Sequence, residues 1–456
     1  IYPIIRSNYS YIDDIGRVYQ GYDDWGYFSR YISNFLSHIL HGDKYLSDIS
    51  PLPQLLSIFV LVIASLIVIK AVKGSSTISL WELIAVLPLG LSPYFLECLS
   101  YKYDSIYMSL SILAAVFPLL FQKKNKVVYF IINFLCVLVM CMTYQASSGI
   151  FPMLVVLIAF LSWCNKEKTK EIVSFILLSA VSYCSSILFF MLVLMNPVTN
   201  YVSNKIAAFS TVLLHYKAYI KLLCSDFKLK WLILILLLFI CFLSFSVWRS
   251  KQRKLLTLLL AFSTAICMLL LSFGLYPFLQ TPLDAPRTMY GVGACIVCLG
   301  LGICIPSDTN ECWIPRILIC MLSWFFITFA LTYGNALRVQ DEYVDFRMME
   351  VIDDLTDIPD FSTKEEKIVQ LSGNVGYAPV IENMPKDYNI LRRLVPVTFG
   401  ENWHWAGYKF YHYYNMKHIV WNPDETMELT SDWNALQESM YHTIYQQANR
   451  FIVQLK

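Results

Sequence analysis

Ten apolar runs dominate the chain between residues 53 and 334, and they constrain its fold more than any other feature. An α-helix needs about 20 apolar residues to cross the hydrocarbon core of a bilayer. The composition agrees, because 57% of the residues are hydrophobic and only 15% are charged, against roughly 25% charged in soluble domains. We therefore predict a mainly α-helical polytopic membrane protein with ten transmembrane helices, at 53–72, 78–97, 105–121, 126–144, 148–163, 172–195, 230–249, 255–275, 288–305 and 314–334.

The basic residues of the short loops predict on which side of the membrane each loop lies. Cytoplasmic loops carry an excess of lysine and arginine. Here the first, third, fifth and seventh loops are basic, with Lys70 and Lys73; Lys123, Lys124 and Lys126; Lys166, Lys168 and Lys170; and Arg249, Lys251, Arg253 and Lys254. This alternation puts both ends of the chain outside the cytoplasm. Since a chain that begins outside must first be threaded there, we expect an eleventh span to precede residue 1 in the native protein.

Three regions follow from this topology. Residues 1–52 form the first extracytoplasmic loop, in which 27–40 has the apolar face of a helix lying on the membrane surface. Residues 53–335 form the transmembrane helical domain. Residues 336–456 are charged and aromatic, with helical spacing at 341–355 and short strands at "KIVQL" and "RFIVQL". We predict a small C-terminal extracytoplasmic α/β domain there.

Cysteine usage and net charge exclude two classes of protein. The 13 cysteines lie mostly in the apolar segments, which is not the pattern of a disulfide framework. Cys295 and Cys298 form a C-x-x-C pair inside an apolar run, where small packing residues are the simpler interpretation and redox or metal chemistry the alternative. The net charge of +2 gives no electrostatic reason to expect a nucleic-acid partner.

Two acidic doublets, Asp13–Asp14 and Asp23–Asp24, stand among aromatic residues in the loop before the first span. One interpretation is a solvated surface or a set of ion pairs with nearby arginines. However, a carboxylate at the outer mouth of a helix bundle is partly desolvated, and a neighbouring like charge raises its pKa further. Both effects favour a general base when the carboxylate is ionised near neutral pH.

The loop before the first span contains the pattern "NYSYIDD" and an amphipathic stretch with "RYISNFL", and "DISPLPQLL" then opens the span. In these stretches the chain resembles the serotype-converting O-antigen glucosyltransferases that temperate phages of enteric bacteria carry. That family belongs to the GT-C membrane glycosyltransferases, which place acidic residues in the first extracytoplasmic loop. The resemblance implies a GT-C-like fold in the bacterial inner membrane, with the active site on the periplasmic side. It implies that undecaprenyl-phosphate-glucose is the donor and that a sugar hydroxyl of the lipid-linked O-antigen is the acceptor.

The implied reaction assigns roles to particular residues. Asp13 or Asp14 is the general base of an inverting single displacement, and the sequence does not separate the two. Lys102 and Arg287, at outer ends of spans, are candidates for binding the donor phosphate, although interfacial snorkelling also explains such residues. Further acidic candidates are Asp23, Asp24, Glu97 and Asp104, of which Glu97 and Asp104 could join Asp13–Asp14 around a divalent cation. No other metal or cofactor is assigned.

The stretch "FGENWHWAGYKFYHYYN" at 399–415 concentrates aromatic residues in the tail. Aromatic faces stack on sugar rings, so Trp403, Trp405 and Tyr408 are candidates for binding the acceptor. The alternatives are the core of a small domain or an aromatic belt against membrane lipids.

Two other functions are compatible with a chain of this kind. A transporter or flippase of a lipid-linked sugar should carry ionisable residues or broken helices near the bilayer midplane, whereas the spans here are nearly free of charge. An O-antigen polymerase or ligase would differ from a glucosyltransferase in taking an oligosaccharide as its donor.

Overall fold

The structure is a computed structural model that describes residues 1–75, 77–196, 205–305, 313–359, 361, 365–384, 389–401, 405–421 and 427–456. Trp403 therefore lies outside the described residues. The first part of the chain contains three short helices and one long one, with a 3₁₀ turn at Trp25–Phe28: α1 (Tyr2–Ser7), α2 (Asp13–Gln20), α3 (Tyr31–His41) and α4 (Leu52–Lys73).

The predicted surface helix at 27–40 corresponds to α3. Ser33 and Ser37 on one side are buried, and the Ser33 hydroxyl donates a hydrogen bond to the carbonyl of Thr143 at 3.2 Å. Phe35 and Ile39 on the other side are 63% and 62% exposed. The small polar side of α3 therefore packs on the protein and leaves apolar side chains outside, as expected of a helix at a bilayer surface.

The middle of the chain is helical throughout its described length. Its helices are α5 (Leu80–Ala85), α6 (Pro88–Leu91), α7 (Pro93–Ser100), α8 (Ser105–Val116), α9 (Lys126–Thr143), α10 (Ile150–Cys164), α11 (Thr169–Phe189), α12 (Phe209–Asp226), α13 (Leu229–Arg249), α14 (Lys254–Leu271), α15 (Gly291–Cys304) and α16 (Trp313–Thr356). Short 3₁₀ segments lie at Phe117–Phe121, Gln145–Gly149, Tyr276–Phe278 and Pro286–Thr288, and a π-helical turn at Phe190–Leu194 extends α11.

Seven of the described helices are long and apolar enough to cross a membrane: Leu52–Lys73, Lys126–Thr143, Gln145–Cys164, Thr169–Leu194, Leu229–Arg249, Lys254–Leu271 and Trp313–Thr356. An eighth candidate is the pair Leu80–Leu91 and Pro93–Ser100, bent by 59°, where Pro93 lacks the N–H that would continue the helix. Ser105–Phe121 and Gly291–Cys304 are apolar but shorter. The chain is thus a mainly helical protein of membrane type, and the count of ten spans stays a prediction.

The last span continues into the C-terminal region without a break, because α16 runs for 44 residues across the expected boundary at 335. The predicted helix at 341–355 is confirmed as its second half. Val344, Met348 and Val351 from this half are buried in the core of the C-terminal region. One continuous helix therefore connects the helical domain with the core of the region that follows.

The C-terminal region contains short helices and one five-stranded sheet in its described residues. Its elements are α17 (Pro379–Glu382), α18 (Asn389–Leu394), α19 (Trp405–Tyr408), a π-helical turn at Lys409–Tyr413, β1 (Lys367–Ser372), β2 (Ile419–Trp421), β3 (Asn434–Glu438), β4 (His442–Gln447) and β5 (Arg450–Leu455). The strand order is β2-β1-β5-β4-β3, with β1 parallel to β2 and β5 and the other pairs antiparallel. The two predicted strands are confirmed as β1 and β5.

Candidate active site

A cavity of about 1240 Å³ lies where the first loop, the ends of several long helices and the C-terminal region meet. The C-terminal region covers this cavity, since the Tyr11 hydroxyl donates to the carbonyl of Leu394 at 2.8 Å. One part of the lining is charged or polar and includes Asp13, Arg17, Arg30, Glu97, Tyr101, Asp104, Gln145, Asp284, Arg287, Arg392, Arg393 and Trp405. Another part is apolar and includes Ile187, Phe190, Met191, Met195, Leu275, Leu279 and Leu283.

Asp13 is the first residue of α2 and lines this cavity. Its carboxylate is partly exposed, and no hydrogen bond or ion pair joins it to another residue in the described part of the chain. Burial raises the pKa of Asp13, while the charge of Arg17 lowers it to a smaller extent. The carboxylate is therefore free to accept a proton inside the cavity.

The backbone before Asp13 is strained. Ile12 has a φ of 46°, a left-handed conformation that is rare for a β-branched residue and costs on the order of 1–3 kcal/mol. Ile12 also lines the cavity. Such strain persists only when surrounding contacts hold it, so this turn is stabilised by the contacts of its neighbours.

Asp14 supplies those contacts. Its carboxylate is fully buried and accepts hydrogen bonds from the backbone N–H groups of Tyr11 at 3.2 Å, Lys102 at 2.8 Å and Tyr103 at 3.4 Å. Burial, together with the charge of Asp104, raises the pKa of Asp14 to about 8. Asp14 does not line the cavity. The structure thus separates the two carboxylates: Asp13 faces the cavity, and Asp14 joins the start of α2 to the segment between α7 and α8.

Asp24 and Asp104 both pair with Arg17. The buried Arg17 guanidinium donates to Asp24 Oδ1 at 2.5 Å and to Asp104 Oδ2, and it lies 4.4 Å from the centroid of the Trp25 ring. The Trp25 indole N–H donates to the other oxygen of Asp104. Asp23 lies apart and accepts hydrogen bonds from Asn34 and His38, both at 2.7 Å.

Arg287 lines the cavity and is held by Glu97. One oxygen of the buried Glu97 carboxylate accepts from the Arg287 backbone N–H at 2.6 Å, and the other accepts from Nη1 at 2.7 Å. The Arg287 guanidinium lies 5.7 Å from the centroid of the Tyr101 ring. Glu97 therefore orients a cation at the cavity wall.

Lys102 has a different contact from the one predicted. Its ammonium group pairs with Asp48 at 3.2 Å and donates to the Ser10 hydroxyl at 3.3 Å. Lys102 is buried and does not line the cavity. Of the two cations proposed for the donor phosphate, the cavity therefore includes Arg287 alone.

The expected cation-binding set is not assembled. Among the described residues, no three histidine, cysteine or acidic side chains group as ligands of a metal ion. Glu97 faces Arg287 and Asp104 faces Arg17, so these carboxylates are engaged with arginines and do not converge on Asp13–Asp14.

The aromatic stretch of the tail divides between two roles. Trp405 lines the cavity, and its ring stacks on Tyr408 with centroids 5.9 Å apart. Tyr408 in turn stacks on His412 at 6.3 Å. Phe410 instead belongs to the core of the C-terminal region and stacks on Trp421 at 3.7 Å. Part of the stretch is thus domain core, and part lies at the cavity.

Several cavity residues were not assigned from the sequence. They are Arg30, Gln145, Asp284, Arg392 and Arg393. Arg30 had one usable signal, because it is a basic residue in the same loop as the acidic doublets. The remaining four come from distant parts of the chain, and nothing in the sequence relates them to that loop.

Comparison with known proteins gives one family and one relative. Residues 2–298 match the family model described as Glucosyl transferase GtrII. A protein of Salmonella phage P22, described as an uncharacterized 55.3 kDa protein in the gtrB 5′ region, is 23% identical over 420 residues, covering 89% of this chain and 86% of the relative. No solved structure matches significantly. The family match includes Asp13, Arg30, Glu97 and Arg287 and ends before α16.

Proposed function

Because the chain belongs to the glucosyl transferase GtrII family, and is therefore a glycosyltransferase, we propose that its donor is undecaprenyl-phosphate-glucose. The acceptor is a sugar hydroxyl of the lipid-linked O-antigen, and transfer takes place at the periplasmic face of the bacterial inner membrane. The observation that carries the proposal is the carboxylate of Asp13, unpaired among the described residues, in a cavity that has a charged part containing arginines and an apolar part.

Asp13 is the general base. A sugar hydroxyl is a poor nucleophile, so its proton must leave as the oxygen bonds to the anomeric carbon. The proton goes to the Asp13 carboxylate, while the bond from the anomeric carbon to the phosphate oxygen breaks. Negative charge near the anomeric carbon also stabilises its oxocarbenium character. A single displacement of this kind inverts the anomeric centre.

Arg287 receives the charge that develops on the departing lipid phosphate. A phosphate leaves without being protonated when a cation stabilises it, and the planar guanidinium can bind two of its oxygens. The contact with Glu97 supports this role because it fixes the orientation of Arg287 before the donor arrives. Lys102 is assigned no part in this step, because its ammonium group pairs with Asp48 and it does not line the cavity.

Trp405 and Tyr408 bind the acceptor. Trp405 lines the cavity, and Tyr408 extends the aromatic surface away from it. A sugar stacked on Trp405 lies in the same cavity as Asp13. The apolar part of the lining supports a lipid-borne donor over a nucleotide sugar, which has no apolar chain to bury.

The experiment that tests this function supplies labelled undecaprenyl-phosphate-glucose to membranes that contain the protein and its O-antigen acceptor. We expect label in the O-antigen, and none when the protein is omitted. Transfer from a nucleotide sugar in membranes free of lipid carrier would contradict the proposed donor. Appearance of label on the other membrane face without covalent transfer would instead support a flippase.

A further inference from the structure

We propose that Arg30 binds the phosphate of the donor lipid, and that its isoprenoid chain extends from there along the apolar wall formed by Phe190, Met191 and Met195. The inference rests on the proposed function for the identity of the donor. It adds a second cation to the site and a direction for the lipid chain.

Arg30 differs from the other arginines of the cavity in its contacts. Arg17, Arg287, Arg392 and Arg393 each pair with a carboxylate. Arg30 has no such ion pair within the described ranges. Its guanidinium lies 4.6 Å from the centroid of the Tyr144 ring and 5.3 Å from that of Phe28. Only its Nε donates to a described side chain, Gln145 Oε1, at 3.3 Å.

The contacts of Arg30 orient it but leave its charge uncompensated by any described residue. Aromatic faces and an amide oxygen stabilise a guanidinium only weakly compared with a carboxylate. A charge in a partly desolvated cavity is costly until an anion pairs with it. The two terminal NH₂ groups of a guanidinium match the oxygens of a phosphate. The site is therefore built for an anion that arrives with the substrate.

Arg30 lies next to the apolar wall. The backbone N–H of Asn196, just after the π-helical turn that extends α11, donates to the hydroxyl of Ser29 at 2.9 Å. This hydrogen bond fixes the end of that helix beside Arg30. Phe190, Met191 and Met195 of the same segment line the cavity. A phosphate at Arg30 thus has apolar surface directly beside it, as a phosphate attached to an isoprenoid requires.

The outer side of the same segment faces away from the protein. Leu192 is 81% exposed and Val193 is 63% exposed, as expected for side chains in contact with lipid. The turn therefore separates the cavity from the bilayer, and an isoprenoid chain lying along its inner side has a short path to the membrane.

Tyr144 contacts both Arg30 and Arg287. Arg30 stacks on the Tyr144 ring, and the Tyr144 hydroxyl donates to the carbonyl oxygen of Arg287 at 3.4 Å. Both arginines therefore contact the same tyrosine, and both line the cavity. Since Glu97 already engages Arg287, Arg30 supplies the larger part of the uncompensated positive charge.

Binding of farnesyl phosphate and of farnesol to the purified full chain tests the proposal without requiring catalysis. We expect the wild type to bind farnesyl phosphate more tightly than farnesol. Arg30→Ala should weaken farnesyl phosphate binding by at least about tenfold, as expected for the loss of a charge-assisted hydrogen bond, and leave farnesol binding unchanged. Arg30→Lys keeps the charge without the planar fork and should give a smaller loss. In the transfer assay, Arg30→Lys should raise the KM for the donor more than it lowers kcat.

Arg6→Ala is the matched control. Arg6 belongs to the same loop region but bonds to Asn335 and does not line the cavity, so this variant should bind both probes as the wild type does. Unchanged farnesol binding shows that the Arg30→Ala variant is folded. If Arg30→Ala does not fold, the affinity of Arg30→Lys for farnesyl phosphate tests the inference instead. Wild-type affinity of the Arg30 variants for farnesyl phosphate would overturn the inference and leave the proposed function standing. A wild type that does not prefer farnesyl phosphate to farnesol would contradict the proposed donor itself.

Discussion

Asp13 and Asp14 are adjacent in the chain and have opposite surroundings. Asp13 faces a cavity with no hydrogen-bond donor on its carboxylate from the described residues, whereas Asp14 is saturated by three backbone N–H groups. A general base must accept and release a proton inside the cavity, whereas the contacts of Asp14 hold the backbone at the start of α2 in place. The pair therefore combines a reactive group with the neighbour that positions it, next to the strained φ of Ile12.

The pKa of Asp13 predicts how transfer depends on pH. Burial raises this pKa above the ordinary value of 3.8, and the base works in its ionised form. Transfer should therefore decline as the pH falls through a value above 3.8, and the acidic limb of the rate profile should lie higher than for an exposed aspartate. The measurement is the initial rate of glucosyl transfer between about pH 4 and 8, the interval in which a shifted aspartate titrates.

The control for the pH profile is Asp43→Asn, which removes an exposed carboxylate of the same loop. Its profile should overlay that of the wild type. A wild-type rate that stays constant down to pH 4 would exclude Asp13 as the titrating base.

At the scale of helices, close packing depends on glycines at a few positions. A Cβ on Gly149 would lie 1.8 Å from the carbonyl oxygen of Leu271 at the end of α14. The start of α10 therefore approaches the backbone of α14 more closely than any side chain permits. This contact stands beside Gln145 and Ser148, which line the cavity.

Gly149→Ala should consequently destabilise the protein by about 1–3 kcal/mol or more, because the two helices must separate. The measurement is the midpoint of thermal unfolding in detergent. Gly26→Ala is the matched control, since a Cβ there meets nothing within 4 Å. Equal unfolding temperatures for the two variants would show that α10 and α14 are not packed as described.

One of the clusters that hold the C-terminal region over the cavity centres on the buried Asp226. The carboxylate of Asp226, at the end of α12, accepts a hydrogen bond from the Tyr94 hydroxyl at 2.8 Å and pairs with Arg393 of α18. Arg393 also donates to the carbonyl of Asp284. A single arginine thus joins the C-terminal region that covers the cavity, here called the roof, to two separate parts of the helical domain.

Arg393→Ala should loosen this roof. Leaving Asp226 unpaired should cost on the order of 2–3 kcal/mol, less than for a fully buried pair because Arg393 is partly exposed. We expect faster limited proteolysis of the C-terminal region and slower glucosyl transfer. Arg338→Ala, which removes an exposed pair with Glu342, is the control and should change neither. If the Arg393→Ala variant is proteolysed at the wild-type rate, the anchoring role of Arg393 is contradicted.

For the molecule as a whole, local patterns predicted the elements well. The apolar runs became helical because backbone groups in an apolar stretch must be satisfied within the segment, although the run at 78–97 is divided among α5, α6 and α7. The stretches "KIVQL" and "RFIVQL" became paired strands of one sheet. The bend at Pro93 has a local cause, the proline, which the prediction of one span at 78–97 did not take into account. The continuity of α16 across residue 335 depends on packing, and no local pattern marked it.

The site was predictable only in part. Asp13 and Arg287 were proposed from the predicted topology and the resemblance, and both line the cavity. The distinction between Asp13 and Asp14 did not, because it depends on backbone N–H groups 88 and 89 residues away. Lys102 was assigned to the donor phosphate for its charge and its predicted position at the outer end of a span, and its contact with Asp48 could not be read from spacing. The roof residues Arg392 and Arg393 are more than 300 residues from the acidic loop.

The account depends most on Asp13 as the base, and Asp13→Asn tests it directly. The measurement is the rate of glucosyl transfer from labelled undecaprenyl-phosphate-glucose to O-antigen, in membranes with equal amounts of wild-type and variant protein. Removal of a general base lowers rates by about 10²–10⁴-fold, so the variant should transfer at least about 100-fold more slowly while binding farnesyl phosphate normally. A variant that transfers glucose at the wild-type rate would contradict the account.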